Sequence, residues 1–265
     1  MTEISGDTAG GFEAVAEAFE HNFDEHDEVG AACCVYVGGE PVVDLWGGKA
    51  NPETGEDWQE DTISIVFSCS KAATSVCAHI LIDRGELELQ APVSKYWPEF
   101  AKAGKEKTTV QMMLNHESAI PALREPVKEK GFLDWDYMIQ RMEDEPAWWE
   151  PGTRNGYHMV NFGWTVGELV RRVSGKSLGQ FFADEVAGPT SADFWIGLPD
   201  GVEPHIAPIL PYIPQAGDQM SDFVGLLMKD PNSIQALSFN NNGGWGANDA
   251  DAPRAEIGGG GGISN

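Results

Sequence analysis

Apolar residues along this chain recur first at helical and then at strand spacing. Phe12, Val15, Ala16, Phe19 and Phe23 predict an amphipathic helix from about Gly11 to His26. Ala31 to Val37 and Pro41 to Trp46 read as strands, joined into a hairpin by Gly38-Gly39-Glu40. A short apolar run, Ile63 to Phe67, then leads into Ser68, and Ala72, Ala73, Val76, Cys77, Ile80 and Leu81 continue at helical spacing until Arg84-Gly85. Thr108-Thr109-Val110-Gln111 has the form of a capping box opening a short helix through Leu114. Further helices are expected around Asp134 to Met142, along Trp164, Gly167, Val170 and Val173 up to Gly175, and from a Ser177 cap through Val186 to Gly188-Pro189. Met220, Phe223, Val224, Leu227 and Met228 mark a last one. From Asn240 the pattern dissolves: Asn240 to Gly244 and Gly258 to Gly262 read as turn and loop material with little to bury. Ser264 and Asn265 look like a helix cap with no helix behind it, so the chain reads as the N-terminal part of something longer.

Composition narrows the function classes. The 265 residues suffice for one large domain or two small ones. Lys and Arg number 17 against 42 Asp and Glu, a net charge of −25 that argues against nucleic acid and anionic membrane surfaces as partners. Cys33, Cys34, Cys69 and Cys77 lie in apolar surroundings without a C-x-x-C pair, which reads as buried free thiols in a reducing compartment. No basic and apolar leader opens the sequence, and no apolar run approaches the ~18 residues of a membrane span. The expectation is a soluble, cytoplasmic protein. His21 to Glu28 holds possible metal ligands but no second cluster supports them, so it reads as a solvated helix end, and neither metal nor cofactor is expected.

Two serines compete as nucleophile. Ser68 and Lys71, three apart at a helix start, share one face, with Cβ atoms about 5–6 Å apart. A hydroxyl and an amine so placed act as nucleophile and base once burial lowers the amine's pKa, and the helix N-terminus adds unpaired N–H groups. Lys71 is the sole charge on its helix before Asp83. Ser70 is the poorer nucleophile, being rotated about 100° from Lys71. Gly175-Lys176-Ser177-Leu178-Gly179 matches the G-x-S-x-G elbow of α/β-hydrolases, with Asp193, Asp200 and His205 following in the required order. The segment before Ser177 is helical in pattern, however, and so short a spacing leaves little room for the sheet that normally lies between those residues. A glycine-stopped helix followed by a serine-capped one is the preferred reading.

The chain resembles serine hydrolases of the β-lactamase type: class C β-lactamases, DD-peptidases and the carboxylesterases sharing their fold. Ser68-Cys69-Ser70-Lys71 is similar to that family's first motif, with Ser68 the nucleophile and Lys71 its partner. Asp83-Arg84-Gly85-Glu86-Leu87, Ala91-Pro92-Val93 and Tyr96-Trp97-Pro98 resemble the segment after it. Thr109-Val110-Gln111 with Leu114-Asn115-His116-Glu117-Ser118 resembles a "T-v-x-x-L-L-x-H-x-S-G" run in which Ala119 stands where glycine is usual. Trp149-Glu150-Pro151-Gly152 and Gly156-Tyr157-His158 are similar to the approach to Tyr-x-Asn; Tyr157 matches the tyrosine, and Met159 occupies the asparagine position.

The resemblance implies an α+β, β-lactamase/DD-peptidase-like fold: a helical region plus an antiparallel sheet, incomplete if the chain is truncated C-terminally. It implies one domain over residues 1–265, with an N-terminal helix and hairpin at 11–47, a catalytic helical region at 62–230 and a Gly/Asn-rich end at 240–265. A late Lys-Thr-Gly or His-x-Gly strand, expected to supply a second oxyanion donor, is not found, and its loss predicts poor activity. The function implied is hydrolysis of a small ester, amide or β-lactam through an acyl-enzyme at Ser68, with Lys71 and Tyr157 sharing proton transfer. Met159 favours the esterase-like branch. Trp46, Trp148 and Trp149 are candidates for an acyl pocket, with core packing the commoner fate of such residues, while His116 and His158 read as structural. The alternatives are a non-catalytic module on the same fold, or an α/β-hydrolase using Ser177.

Overall fold

A computed structural model describes residues 2–199, 206–214, 217 and 219–265. It divides into two compact units: residues 1–64 with 203–210 and 265, and residues 65–202 with 211–264.

In the first unit, β1 (Ile4–Thr8), α1 (Glu13–Glu25), β2 (Gly30–Val37), β3 (Glu40–Asn51) and β4 (Glu56–Asp57) follow in order. β3 lies between β1 and β2, antiparallel to both, and also pairs β4. Gly38 and Gly39 both have positive φ, as a tight β2–β3 turn twisted to match its strands requires. Phe19 of α1 is buried with Val43 and Leu45 of β3, and Phe12, Val15 and Phe23 pack around them. The helical stripe and the alternation of β3 thus meet in one small core. β1 carries no apolar alternation; its register is set by β3, and at Gly6 an added Cβ would strike the Asp44 carbonyl. β5 (Ile63–Ile65) pairs in parallel with β7 (Ile206–Ala207) through Ile63 and Ser64.

The second unit is mainly helical. A 3₁₀ turn, Phe67–Cys69, opens α2 (Ser70–Asp83), followed by α3 (Val110–Leu114), α4 (Trp135–Asp144) and α5 (Asn161–Ser174). α6 (Leu178–Phe182) runs through a π turn, Ala183–Ala187, into α7 (Gly188–Thr190). β6 (Phe194–Trp195), α8 (Asp222–Lys229), α9 (Ile234–Asn240) and β8 (Ile263–Ser264) complete it. Local chemistry sets the ends: Thr109 Oγ1 caps the Met112 N–H, Ser177 Oγ caps Gln180, and Gly175 closes α5 at φ +73°. The core gathers Leu81, Trp97, Phe100, Met113, Met138, Met142, Trp164, Leu169 and Phe181. The first ten residues of α5, Asn161 to Val170, are all buried, so this helix is the axis around which the others pack.

Several expectations change here. Gly258–Gly262 is not a solvated loop: all five glycines are buried. At Gly163 of α5 an added Cβ would lie 2.2 Å from the Gly259 nitrogen, so the two backbones touch because neither carries a side chain. Ile263 and Ser264 form no helix cap; they pair with Trp195 and Phe194 as β8 against β6. α9 falls where the apolar pattern marks nothing. Among the cysteines only Cys77 is buried; Cys33 is half-buried, and Cys34 and Cys69 are exposed. No helix among the described residues is long and apolar enough to cross a membrane.

Candidate active site

The 3₁₀ turn presents Ser68 at the surface, while Lys71, on the first turn of α2, is buried. Lys71 Nζ lies 3.1 Å from Ser68 Oγ and donates to the carbonyls of Met159 and Gly259. It also sits 4.8 Å from the centre of the Tyr157 ring. Tyr157 Oη donates to Ser68 Oγ at 2.7 Å. The structure therefore brings Ser68, Lys71 and Tyr157 into direct contact, although the tyrosine is far away in sequence.

The electrostatics follow from this packing. Burial pushes the Lys71 pKa down, opposed by its interaction with Tyr157. For Tyr157, partial burial raises the phenol's pKa, but its hydrogen bond to Ser68 and the Lys71 cation together outweigh that and leave it lowered. With two carbonyls accepting from Lys71, its remaining position faces Ser68 Oγ and the Tyr157 phenol. A neutral amine can accept the serine proton there, and an ammonium can return one.

Met159 lacks the amide that the resemblance expects, yet its backbone carbonyl takes the lysine. The glycine segment supplies the other acceptor and also holds α2: Gly258 O accepts from Thr74 Oγ1 at 2.9 Å, and the Gly262 N–H donates to Ser70 Oγ at 2.7 Å. Ser70 Oγ in turn donates to the Phe67 carbonyl. Its hydroxyl is thereby buried and occupied, as its rotation away from Lys71 anticipates. Sequence reading missed this segment, because a glycine run signals loop unless something shows that backbone is to be packed against backbone.

Behind Tyr157 lies residues 115–119. Asn115 O accepts from Asn155 Nδ2, His116 O from Gly156 N, Glu117 O from Gly152 N and Ala119 O from Trp148 N. Ser118 Oγ and His158 Nε2 share a 2.8 Å hydrogen bond. Burial drives the His158 pKa down to about 3, so the ring is neutral. Ala119 is buried at φ +63°, which gives a reason for the glycine usual at that position. Trp149 packs on Gly156, next to Tyr157, while Trp148 holds the Arg124 guanidinium 3.7 Å from its ring centre. Trp46 belongs to the first unit, where it lines a surface cavity with Trp58 and Lys49.

Ser177 is placed differently. Its Oγ donates to Glu256 Oε1 at 2.7 Å and caps α6, and Glu256 Oε2 takes the Gly179 N–H. Asp200 and His205, which the elbow reading invokes, lie outside the described residues. Among the described residues no group of three or more His, Cys, Asp or Glu is disposed to hold a metal ion.

A serine, a buried amine and a phenol meeting at the N-terminus of a buried helix define a class of protein, and comparison with known families names it. The model of the Beta-lactamase family matches residues 15–265, and the chain belongs to that family. Its fold is the α+β, β-lactamase/DD-peptidase-like one. It is 36% identical over 200 residues to the esterase/beta-lactamase LipL of Mycobacterium tuberculosis, covering 74% of this chain and 45% of LipL. Among solved structures it is similar to a family VIII carboxylesterase, with a TM-score of 0.82 and 38% identity over 99% of this chain and 68% of that one. It is also similar to a penicillin-binding protein homolog from Caulobacter crescentus, with a TM-score of 0.86 and 30% identity over 100% of this chain and 68% of that one. The chain spans about half the length of the curated relatives it matches.

Proposed function

We propose that this chain carries the catalytic residues of a serine hydrolase that cleaves a small ester, or less readily an amide or β-lactam, through an acyl-enzyme at Ser68. One observation carries the reading: Lys71 Nζ and Tyr157 Oη both reach Ser68 Oγ, at 3.1 and 2.7 Å. The names of the relatives, an esterase/beta-lactamase and a family VIII carboxylesterase, support the reaction class.

In acylation Ser68 Oγ bonds to the substrate carbonyl carbon while its proton passes to the Lys71–Tyr157 pair. The carbonyl electrons move to oxygen, for which the Ser68 N–H is the backbone donor at hand, the Cys69 and Ser70 N–H groups being bonded to the Val66 and Phe67 carbonyls. Collapse of this intermediate breaks the bond to the leaving oxygen or nitrogen, and the stored proton goes to that atom. Water then repeats the sequence in reverse roles and frees the acid. Tyr157 is half-exposed and Lys71 buried, so the phenol meets the substrate while the amine sets the phenol's charge. The base must be a neutral amine or a phenolate, and both groups have lowered pKa values. The rate therefore rises with pH, with its inflection below the ordinary tyrosine and lysine range.

Met159 in place of an amide removes a side-chain donor for an amide substrate. Short-chain nitrophenyl esters are expected to turn over faster than nitrocefin. The deciding experiment is labelling with a fluorophosphonate followed by mass spectrometry of the adduct. An adduct on Ser68 that disappears in Ser68→Ala supports the proposal. An adduct on Ser177 rejects it, and no adduct on a demonstrably folded chain favours a binding module on the same fold.

A further inference from the structure

Both chain neighbours of Tyr157 are tied to one residue. The Gly156 N–H donates to the His116 carbonyl at 2.9 Å, and the His158 N–H donates to His116 Nδ1 at 3.0 Å. The imidazole also lies against the tyrosine ring, with centroids 4.9 Å apart and planes at 42°. On its other side Phe162 of α5 stacks at 4.9 Å.

We propose that His116 is a positioning residue for Tyr157: it clamps the backbone on both sides of the tyrosine and braces the ring, holding Oη within reach of Ser68 Oγ. The inference rests on the role proposed above for Tyr157.

Three observations carry it. The first is the backbone. α3 ends with the Glu117 N–H bonded to the Met112 carbonyl (2.7 Å) and the His116 N–H to that of Met113 (3.4 Å). This helix-ending motif places residue 116 in the left-handed region, at φ +61°, where glycine is the usual occupant. The turn and the Gly156 N–H bond to the carbonyl of residue 116 need no imidazole; the His158 N–H bond to Nδ1 and the ring packing on Tyr157 do. The second is the tautomer. An Nδ1 that accepts from a backbone N–H carries a lone pair, so the neutral ring has its proton on Nε2. Burial and the Lys71 cation keep it neutral, with a pKa pushed down to about 4. The third is what His116 does not touch: among the described residues it makes no hydrogen bond to Ser68 or Lys71. Its contacts on the side of the reacting groups are with the Tyr157 ring and the backbone of the residues beside it.

The test uses the whole chain with its five tyrosines replaced by 3-fluorotyrosine, the Tyr157 fluorine signal being identified by its absence in Tyr157→Phe. His116→Gly suits the left-handed backbone and so keeps the fold, while removing both the acceptor and the ring. The expected result is a displaced, broadened Tyr157 signal with the other four unchanged and an unlowered melting temperature. Labelling of Ser68 by fluorophosphonate should slow by up to about 10²-fold, the scale of a misplaced reacting group. His116→Asn tolerates the same backbone, and its Oδ1 can accept from the His158 N–H, so it should recover part of the rate. In the Tyr157→Phe background His116→Gly should cost nothing further. An unmoved Tyr157 signal in His116→Gly, or an equal loss in both backgrounds, overturns the inference. If the parent chain is not labelled, or Tyr157→Phe is labelled at the parent rate, the proposed function fails instead, and the fluorine signal alone decides the role of His116.

Discussion

Lys71 and Lys105 are the two buried lysines among the described residues, and the protein houses them in nearly the same way. Each donates to two backbone carbonyls: Lys71 to Met159 and Gly259, Lys105 to Glu143 and Glu145. Each has an aromatic ring close to its ammonium, Tyr157 at 4.8 Å and Phe100 at 5.1 Å. Burial lowers both pKa values, that of Lys105 to about 8. The difference lies in what else each amine meets. The carbonyls held by Lys105 belong to the C-terminal end of α4, and the Glu145 carboxylate beside it pulls its pKa back up. Lys105 is a helix cap made from a side chain. The carbonyls held by Lys71 come from two segments distant in sequence, and its remaining position faces a serine hydroxyl and a phenol. A depressed pKa and a carbonyl cradle do not by themselves make an amine reactive; the group placed at its last free position does.

Substitution can break or sharpen this contrast. The largest effect is expected for Lys71→Met, which should slow fluorophosphonate labelling of Ser68 by about 10²–10⁴-fold, the usual worth of a positioned acid–base group. Lys105→Met should do the opposite. It leaves the Glu143 and Glu145 carbonyls without their donor, costing on the order of 1–3 kcal/mol in denaturant titration, while the labelling rate per folded molecule is unchanged. Slower labelling at full stability in Lys105→Met would erase the distinction.

The histidines near Lys71 give a smaller effect with a definite sign. His158 has a pKa of about 3 when folded, against an ordinary value of 6.5. Between those values the unfolded chain binds a proton that the folded chain refuses, so stability is complete above about pH 6.5 and is lost as the pH falls. The loss from this group is at most ~1.4 kcal/mol per pH unit, and His158→Gln should flatten the stability profile between pH 6.5 and 5 by a comparable slope. An unchanged slope would show that the imidazole is not held neutral. The smallest effect belongs to the other serine. Ser177→Ala removes the cap of α6 and should cost ~1 kcal/mol without changing labelling at Ser68.

The sequence by itself determined most of the helices, the hairpin and the pairing of Ser68 with Lys71. Those features depend on residues a few positions apart: an apolar stripe, a cap, a glycine stop, a helical turn that puts i and i+3 on one face. It also sufficed to read Ser177 as a helix cap, since G-x-S-x-G preceded by a helical stripe is one helix ending and another beginning, as α5 and α6 do there. The resemblance to a known family then brought in Tyr157, which no local pattern ties to Ser68. Tertiary structure alone decided the rest. β1 is a strand because β3 offers it an edge, not because its own residues alternate. Gly258–Gly262, a loop by composition, is buried because α5 presents Gly163 to it and Lys71 needs the Gly259 carbonyl. His116 clamps Tyr157 only because α3 ends in a left-handed turn that aims its ring at a segment 42 residues further on. Each of these depends on backbone groups meeting across long stretches of chain. Backbone is the same at every residue, so its long-range partners leave no mark in the order of side chains.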